Sequence, residues 1–177
     1  QELARLEVGQ RHTVDRLEME RTLRASGILE LGQHATFAKR ERESFRRAAL
    51  EGLAIRVAVA KITPRHLNLL ERLLDDMDDF RDDSAEWVSR HRVFHEYLCS
   101  LSGRPRLMKQ ISALYSLVEA PMRLWLQHAE KPMSAREEHS VILEAIRSGD
   151  ARLAERVLRE HIEGTVPELV RFLEAGI

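Results

Sequence analysis

Apolar side chains recur every three or four residues from about position 41 onward, with polar residues between them. This spacing is the period of an amphipathic α-helix. The first long segment runs from about Arg42 to Lys61, and its apolar faces contain Phe45, Ala49, Leu53, Ile55 and Val59. The next segment follows Thr63-Pro64 and contains Leu67, Leu70, Leu73, Leu74 and Met77. The pattern predicts a series of amphipathic helices.

The breaks between these segments contain residues that begin or end helices. They are Thr63-Pro64, Asp83–Glu86, Ser102–Pro105, Ser134–Glu137 and Ser148–Asp150. Gly164 and Pro167 indicate a separate short helix near the end of the chain. Because the connections are short and no strand alternates with the helices, the pattern favours an all-α, antiparallel bundle of six to seven helices.

Residues 1–40 follow the helical pattern less closely. The stretch Thr22–Leu31 indicates a helix ended by Gly27 and then a short strand. Seven lysine and arginine residues against six aspartate and glutamate residues make this segment only slightly basic. We therefore divide the chain into an N-terminal segment, residues 1–40, and a helical domain, residues 41–177.

Composition narrows the class of protein further. A chain of 177 residues can form one domain with a sizeable core. The formal net charge of -1 does not indicate binding to nucleic acid or to an anionic membrane through overall charge. The single cysteine excludes an internal disulfide and fits a reducing compartment, and no apolar run is long enough to span a bilayer. These features predict a cytoplasmic helical domain with no membrane partner.

Four histidines are the main candidates for chemistry. His91 and His95 are four residues apart in the segment Trp87–Cys99, and residues at that spacing share one face of a helix. Large apolar residues surround both, while His139 and His161 lie on the apolar faces of two later helices. Four imidazoles that meet in a bundle core predict a site for a divalent transition metal, and we expect zinc, with nickel as the alternative.

Other interpretations of these histidines remain open. An isolated histidine in a core is usually hydrogen-bonded to a nearby carbonyl, although four such residues would be an unusual number to bury independently. A metal-dependent hydrolase is possible because an open metal position can activate water. However, Glu138 is the only carboxylate at a suitable spacing, and a helix turns it away from His139. A metal-free helical interaction module is the third possibility, and Cys99 is interpreted as a small buried thiol.

Six stretches together resemble a known family of regulatory domains. They are Arg47–Glu51, Thr63-Pro64, Phe94–Leu98, Ser102–Pro105, Glu138–Ala151 and Arg159–Ile162. In this order they are similar to the effector-binding, C-terminal domain of the FCD type in GntR-family bacterial transcription regulators. The resemblance covers roughly residues 42–172, and the stretch from Glu138 through His161 is its most specific part.

The resemblance implies a metal site and an effector. In the family, an aspartate and three histidines hold a divalent metal, and small carboxylates bind at or near it. His95, His139 and His161 match the three histidines, whereas His91 stands where the family usually has aspartate. Arg104 stands where asparagine is usual. The resemblance also implies that Arg47 points into the effector cavity, and a guanidinium is well shaped to bind a carboxylate.

The resemblance further implies a DNA-binding partner domain. The N-terminal half of such regulators is a winged helix-turn-helix domain, and residues 1–40 are too few for a complete one. Arg11, Thr13 and Arg16 are the candidate DNA contacts in this segment. The predicted function is that of a homodimeric, non-enzymatic regulator in which a metal and a small organic carboxylate modulate binding to operator DNA.

Overall fold

The computed structural model describes residues 33–128 and 135–174, and these residues form helices without any β-strand. The helices are α1 (Gln33–Ala58), α2 (Pro64–Asp78), α3 (Ser84–Ser100), α4 (Pro105–His128), α5 (Ala135–Arg147) and α6 (Ala151–Glu174). A short 3-10 turn, Val59–Lys61, follows α1. The predicted all-α class is confirmed, while the proposed DNA contacts Arg11, Thr13 and Arg16 and the predicted strand lie outside the described residues.

The predicted helix starts are formed by side-chain caps. The Thr63 hydroxyl accepts a hydrogen bond from the His66 backbone N–H, and the His66 ring accepts one from the Thr63 backbone N–H. Asp83 caps α3 by accepting hydrogen bonds from two backbone N–H groups of its first turn, and Asp150 does the same for α6. These contacts satisfy N–H groups that have no partner within the helix itself.

Two glycines end helices at the predicted positions. Gly103 follows α3 with φ of 68°, and Gly149 follows α5 with φ of 73°. A side chain is disfavoured in this left-handed conformation, so glycine allows the chain to turn sharply there. At the turn that contains Gly103, the Lys61 ammonium also donates a hydrogen bond of 2.6 Å to the Ser102 carbonyl. This hydrogen bond joins the loop that follows α3 to the 3-10 turn that follows α1.

Two predicted helix boundaries are wrong. Helix α1 begins at Gln33 rather than near Arg42, because the polar residues between them include strong helix formers and no proline. The predicted separate helix after Gly164 is part of α6, which continues through Pro167 to Glu174. Helix α6 buries Leu158, Ile162, Val166 and Leu169 on one side of this stretch. The free energy gained by this burial outweighs the cost of placing glycine and proline inside a helix, roughly 1 and 3 kcal/mol respectively.

Helix α1 is central to the bundle. It contacts α3, α4 and α6, while α2 packs against α3 and α5, and α5 packs against α6. The main core cluster includes Phe94, Leu98, Ile142, Leu158 and Ile162. A smaller cluster between α1, α3 and α4 contains Ala54, Cys99, Leu107, Ile111, Tyr115 and Val118. Three helices, α3, α5 and α6, thus present their inner faces to one another beside α1.

Surface ion pairs join α5 to α2. Arg136 pairs with Asp75, and Arg147 pairs with Glu71. The pairs are exposed, so each contributes less than about 1 kcal/mol. None of the described helices is long and apolar enough to cross a membrane.

Candidate metal centre

The two histidines of α3 point into the bundle. His91 is 4% exposed and His95 is fully buried. The Trp87 ring stacks on His91 with their centroids 5.0 Å apart, and the Phe94 ring meets His95 edge-on at 5.4 Å. One helical turn separates the two imidazoles, whose centroids are 4.4 Å apart. The four-residue spacing therefore brings both rings to the same place, as expected.

Helices α5 and α6 supply the other two rings. His139 is fully buried, and the edge-on Phe94 ring lies 5.1 Å from it. His161 is half-buried and lies 4.4 Å from His139 between centroids. His161 is thus the most exposed of the four histidines. We refer to His91, His95, His139 and His161 together as the histidine cluster.

The nitrogens of the histidine cluster converge on one point. One ring nitrogen from each residue lies within 4.8 Å of those of the other three. The Nε2 atoms of His95 and His139 are 3.3 Å apart. Two nitrogens bound to zinc at about 2.0–2.1 Å in tetrahedral geometry would be separated by about 3.3 Å. The predicted convergence is confirmed, and the wider pairs need movements of only about 1 Å to close around an ion.

The donor set fits a transition metal. All four candidate ligand atoms are imidazole nitrogens, which suit zinc, nickel and copper better than magnesium or calcium. Four ligands are also the usual number for zinc, and five- or six-coordinate ions would keep room for a further ligand. The residues therefore fit the predicted metal, and its binding and identity stay predictions.

Burial favours the uncharged form of three of the four histidine rings. It holds the pKa of His91, His95 and His161 well below the ordinary value of 6.5, because a buried cation loses its hydration. The positive charge of Arg47 lowers the same three pKa values. Neutral imidazoles have a free lone pair, so a metal would not have to displace a proton from these rings at neutral pH.

A buried acid lies directly behind the cluster. Glu51 on α1 is fully buried, and its Oε2 is 2.8 Å from His95 Nδ1. Its other oxygen, Oε1, is 3.1 Å from Arg47 Nε. Burial raises the pKa of Glu51 to about 7, although Arg47, the Tyr115 hydroxyl and His139 all lower it. One carboxylate therefore contacts both a cluster histidine and the predicted effector arginine.

Arg47 is itself buried. It is 3% exposed, and its guanidinium lies 4.8 Å from the centre of the Tyr115 ring. Among the described residues it forms one ion pair, between its Nε and Glu51, and its two terminal amino groups take no part in that pair. Since its charge affects three cluster histidines, Arg47 is within electrostatic reach of any ligand bound there.

Glu51 and Tyr115 were not predicted as site residues. Arg47 and Glu51 stand four residues apart, the spacing of an ion pair on one helical face. Ala48, Ala54 and Ile55 on the same helix are fully buried. A charged pair on a face of small and apolar residues is therefore the sequence signal for Glu51. Tyr115 has no such signal, because only folding brings α4 against α1.

The sequence is similar to a known domain family and to known transcription regulators. A family model described as the FCD domain matches residues 45–164. The HTH-type transcriptional repressor NanR of Klebsiella aerogenes is 28% identical over 127 residues, which cover 66% of this chain and 46% of that protein. An uncharacterized HTH-type transcriptional regulator in an unstable DNA locus of Streptomyces ambofaciens is 24% identical over 130 residues, covering 73% of this chain and 53% of that protein.

A solved structure is similar in fold. The E. coli McbR/YncC structure aligns with a TM-score of 0.66 and 22% identity, covering 80% of this chain and 71% of that chain. At that identity the likeness concerns the fold alone. The chain spans about half the length of the curated relatives it matches.

Proposed function

The chain belongs to the FCD domain family, the effector-binding type of domain in GntR-family transcription regulators, and from this premise we propose that it senses a small organic carboxylate through a metal. The histidine cluster would hold the metal, and Arg47 would pair with the carboxylate. The observation that carries the proposal is the convergence of four imidazole nitrogens within 4.8 Å in the bundle core.

The charges around the cluster support an anionic ligand. A divalent ion would bring two positive charges, and an imidazole that binds a metal is neutral. Arg47 adds one positive charge and Glu51 at most one negative charge, so the site would keep an excess of at least two positive charges. Because uncompensated charge is costly to bury, an anion would be strongly favoured as a fifth ligand beside the four imidazoles.

The relatives support a regulator rather than an enzyme. Both are named as transcriptional repressor or regulator. Glu138, the carboxylate that a hydrolase could have used, is exposed on α5. Glu51 is close to the cluster, but its two oxygens already face His95 and Arg47. A metal-dependent hydrolase is therefore disfavoured on the residues themselves.

The remaining parts of the proposal concern the whole regulator. We propose a cytoplasmic homodimer that binds operator DNA through its N-terminal domain, with Arg11, Thr13 and Arg16 as contacts in the segment present here. A dimer of this kind must match half-sites roughly 34–36 Å apart. Effector binding would alter that spacing only if the effector binds the two states with different affinities. Sedimentation analysis with and without ligand would test the dimer.

The decisive experiment combines metal analysis with thermal unfolding. Protein purified without a histidine tag is expected to bind about one equivalent of zinc, which a chelator removes. Acetate, lactate and succinate are then tested with zinc-loaded and zinc-free protein. At a hundred times its dissociation constant, a bound carboxylate should stabilise the loaded protein by about 2.7 kcal/mol. No stabilisation is expected for the zinc-free protein.

A matched histidine variant controls for general effects. His161→Ala should abolish zinc binding at one equivalent, whereas His128→Ala, at the exposed end of α4, should leave it unchanged. Failure of wild-type protein to bind zinc, nickel or copper would favour the metal-free interaction module. If a carboxylate still stabilises the protein after chelation, the effector binds without the metal.

A further inference from the structure

Glu51 is placed between the two groups that would recognise the effector. Its Oε2 lies 2.8 Å from His95 Nδ1, and its Oε1 lies 3.1 Å from Arg47 Nε. All three residues are at most 3% exposed. A buried carboxylate that hydrogen-bonds one buried side chain and forms a close ion pair with another restricts the orientation of both. We propose that Glu51 is a positioning residue that joins the metal site to the effector arginine, an inference that rests on the proposed function.

The proposal starts from the tautomer of His95. A neutral imidazole has one N–H and one bare nitrogen. Since the carboxylate faces Nδ1, the favoured tautomer has its proton on Nδ1 and donates it to Glu51. The bare nitrogen is then Nε2, which lies 3.3 Å from His139 Nε2 inside the cluster. Glu51 thus directs the lone pair of His95 toward the position where the four nitrogens converge.

The second contact acts on Arg47. The guanidinium is held from one side by Glu51 and lies over the Tyr115 ring. A long arginine side chain would otherwise lose considerable rotamer freedom on binding a carboxylate. Holding it in place beforehand reduces that loss. The same carboxylate thereby orients one group for the metal and one for the effector.

The variant Glu51→Gln tests this role, because an amide has only one acceptor oxygen. If that oxygen faces Arg47, the amide N–H faces His95 Nδ1 and favours the tautomer with a proton on Nε2, which has no lone pair directed into the cluster. If the oxygen faces His95, two donors meet at Arg47. In either orientation, one of the two contacts is lost while the size and shape of the side chain are retained.

The matched control is Glu96→Gln. Glu96 is on α3 next to His95 and pairs with Arg92 at 3.1 Å, again four residues apart, but both residues are partly exposed. Zinc affinity, measured by competition with a chelator, should fall about 10- to 100-fold in Glu51→Gln. In Glu96→Gln it should remain within about twofold of wild type, since exposed pairs contribute little.

Nitrogen-15 NMR of the zinc-free protein supplies a readout that a general loss of stability would not move. Wild-type His95 should have its proton on Nδ1, and Glu51→Gln should shift the population toward Nε2. A wild-type His95 with its proton on Nε2 would overturn the proposal even if the variant failed to fold. So would folded Glu51→Gln protein that keeps both wild-type zinc affinity and wild-type carboxylate affinity, or that binds zinc more weakly without a tautomer change. Wild-type protein that binds no zinc would overturn the proposed function as well.

Discussion

Exchange of His91 tests whether the charge of the site controls carboxylate binding. His91 is 4% exposed, and its ring centroid lies 4.4 Å from that of His95 and 5.2 Å from that of His139. In His91→Asp, an anionic ligand replaces a neutral one at the position where the family usually has aspartate. Oxygen ligation keeps the metal in place, so we expect zinc binding to persist and carboxylate binding to weaken.

The magnitude follows from Coulomb's law. A carboxylate at an open metal position would lie about 4 Å from the new aspartate, where two like charges repel by about 4 kcal/mol at an effective dielectric constant near 20. Relaxation and water reduce this value. Even one third of it, about 1.4 kcal/mol, weakens binding tenfold. The expected result is a carboxylate dissociation constant at least about tenfold higher than that of wild type.

Titration calorimetry of the zinc-loaded proteins with succinate measures the change. His91→Asn is the matched control, because it has the shape of aspartate without the charge. It should retain carboxylate affinity wherever zinc remains bound. His91→Ala should weaken both zinc and carboxylate binding, since it removes a ligand. Succinate affinity equal to wild type in zinc-loaded His91→Asp would refute the electrostatic reasoning, and wild-type zinc affinity in His91→Ala would show that His91 is not a ligand.

Three further predictions follow from the fold and the charges. The zinc-free protein should unfold more easily in urea at pH 5 than at pH 7.5. Below about pH 6.5, His91, His95 and His161 take up protons in the unfolded chain while the folded rings stay neutral, which lowers the stability. Glu51, with its pKa raised to about 7, has the opposite effect on stability between about pH 4.5 and 7. The three histidines should outweigh this single carboxyl group. Equal stability at both pH values would contradict this. Phe94→Ala should destabilise by about 3–5 kcal/mol in the same assay, because its fully buried ring packs against two cluster histidines; a loss below about 1 kcal/mol would contradict it. Finally, this chain should not bind DNA with sub-micromolar affinity at physiological salt in a gel-shift assay, because residues 1–40 are nearly neutral and release few counterions.

Local sequence rules predicted most of the helix boundaries. The caps at Thr63, Asp83 and Asp150 and the turns at Gly103 and Gly149 all depend on a few adjacent residues, so they can be recognised from the sequence. The same rules failed at Pro167, because local propensity favours a break there while long-range packing favours a continuous α6. The error therefore shows where tertiary burial overrides local preference.

The sequence by itself determined the helical class and the inward direction of the histidines. Periodicity is a property of one helix, so His91 and His95 could be assigned to a shared face from their spacing alone. The distances between helices required the tertiary structure. The 3.3 Å approach of His95 to His139 and the contact of Glu51 with His95 each join residues 44 positions apart. Such contacts depend on how helices pack, and helical periodicity has no information about the partner that a face will meet.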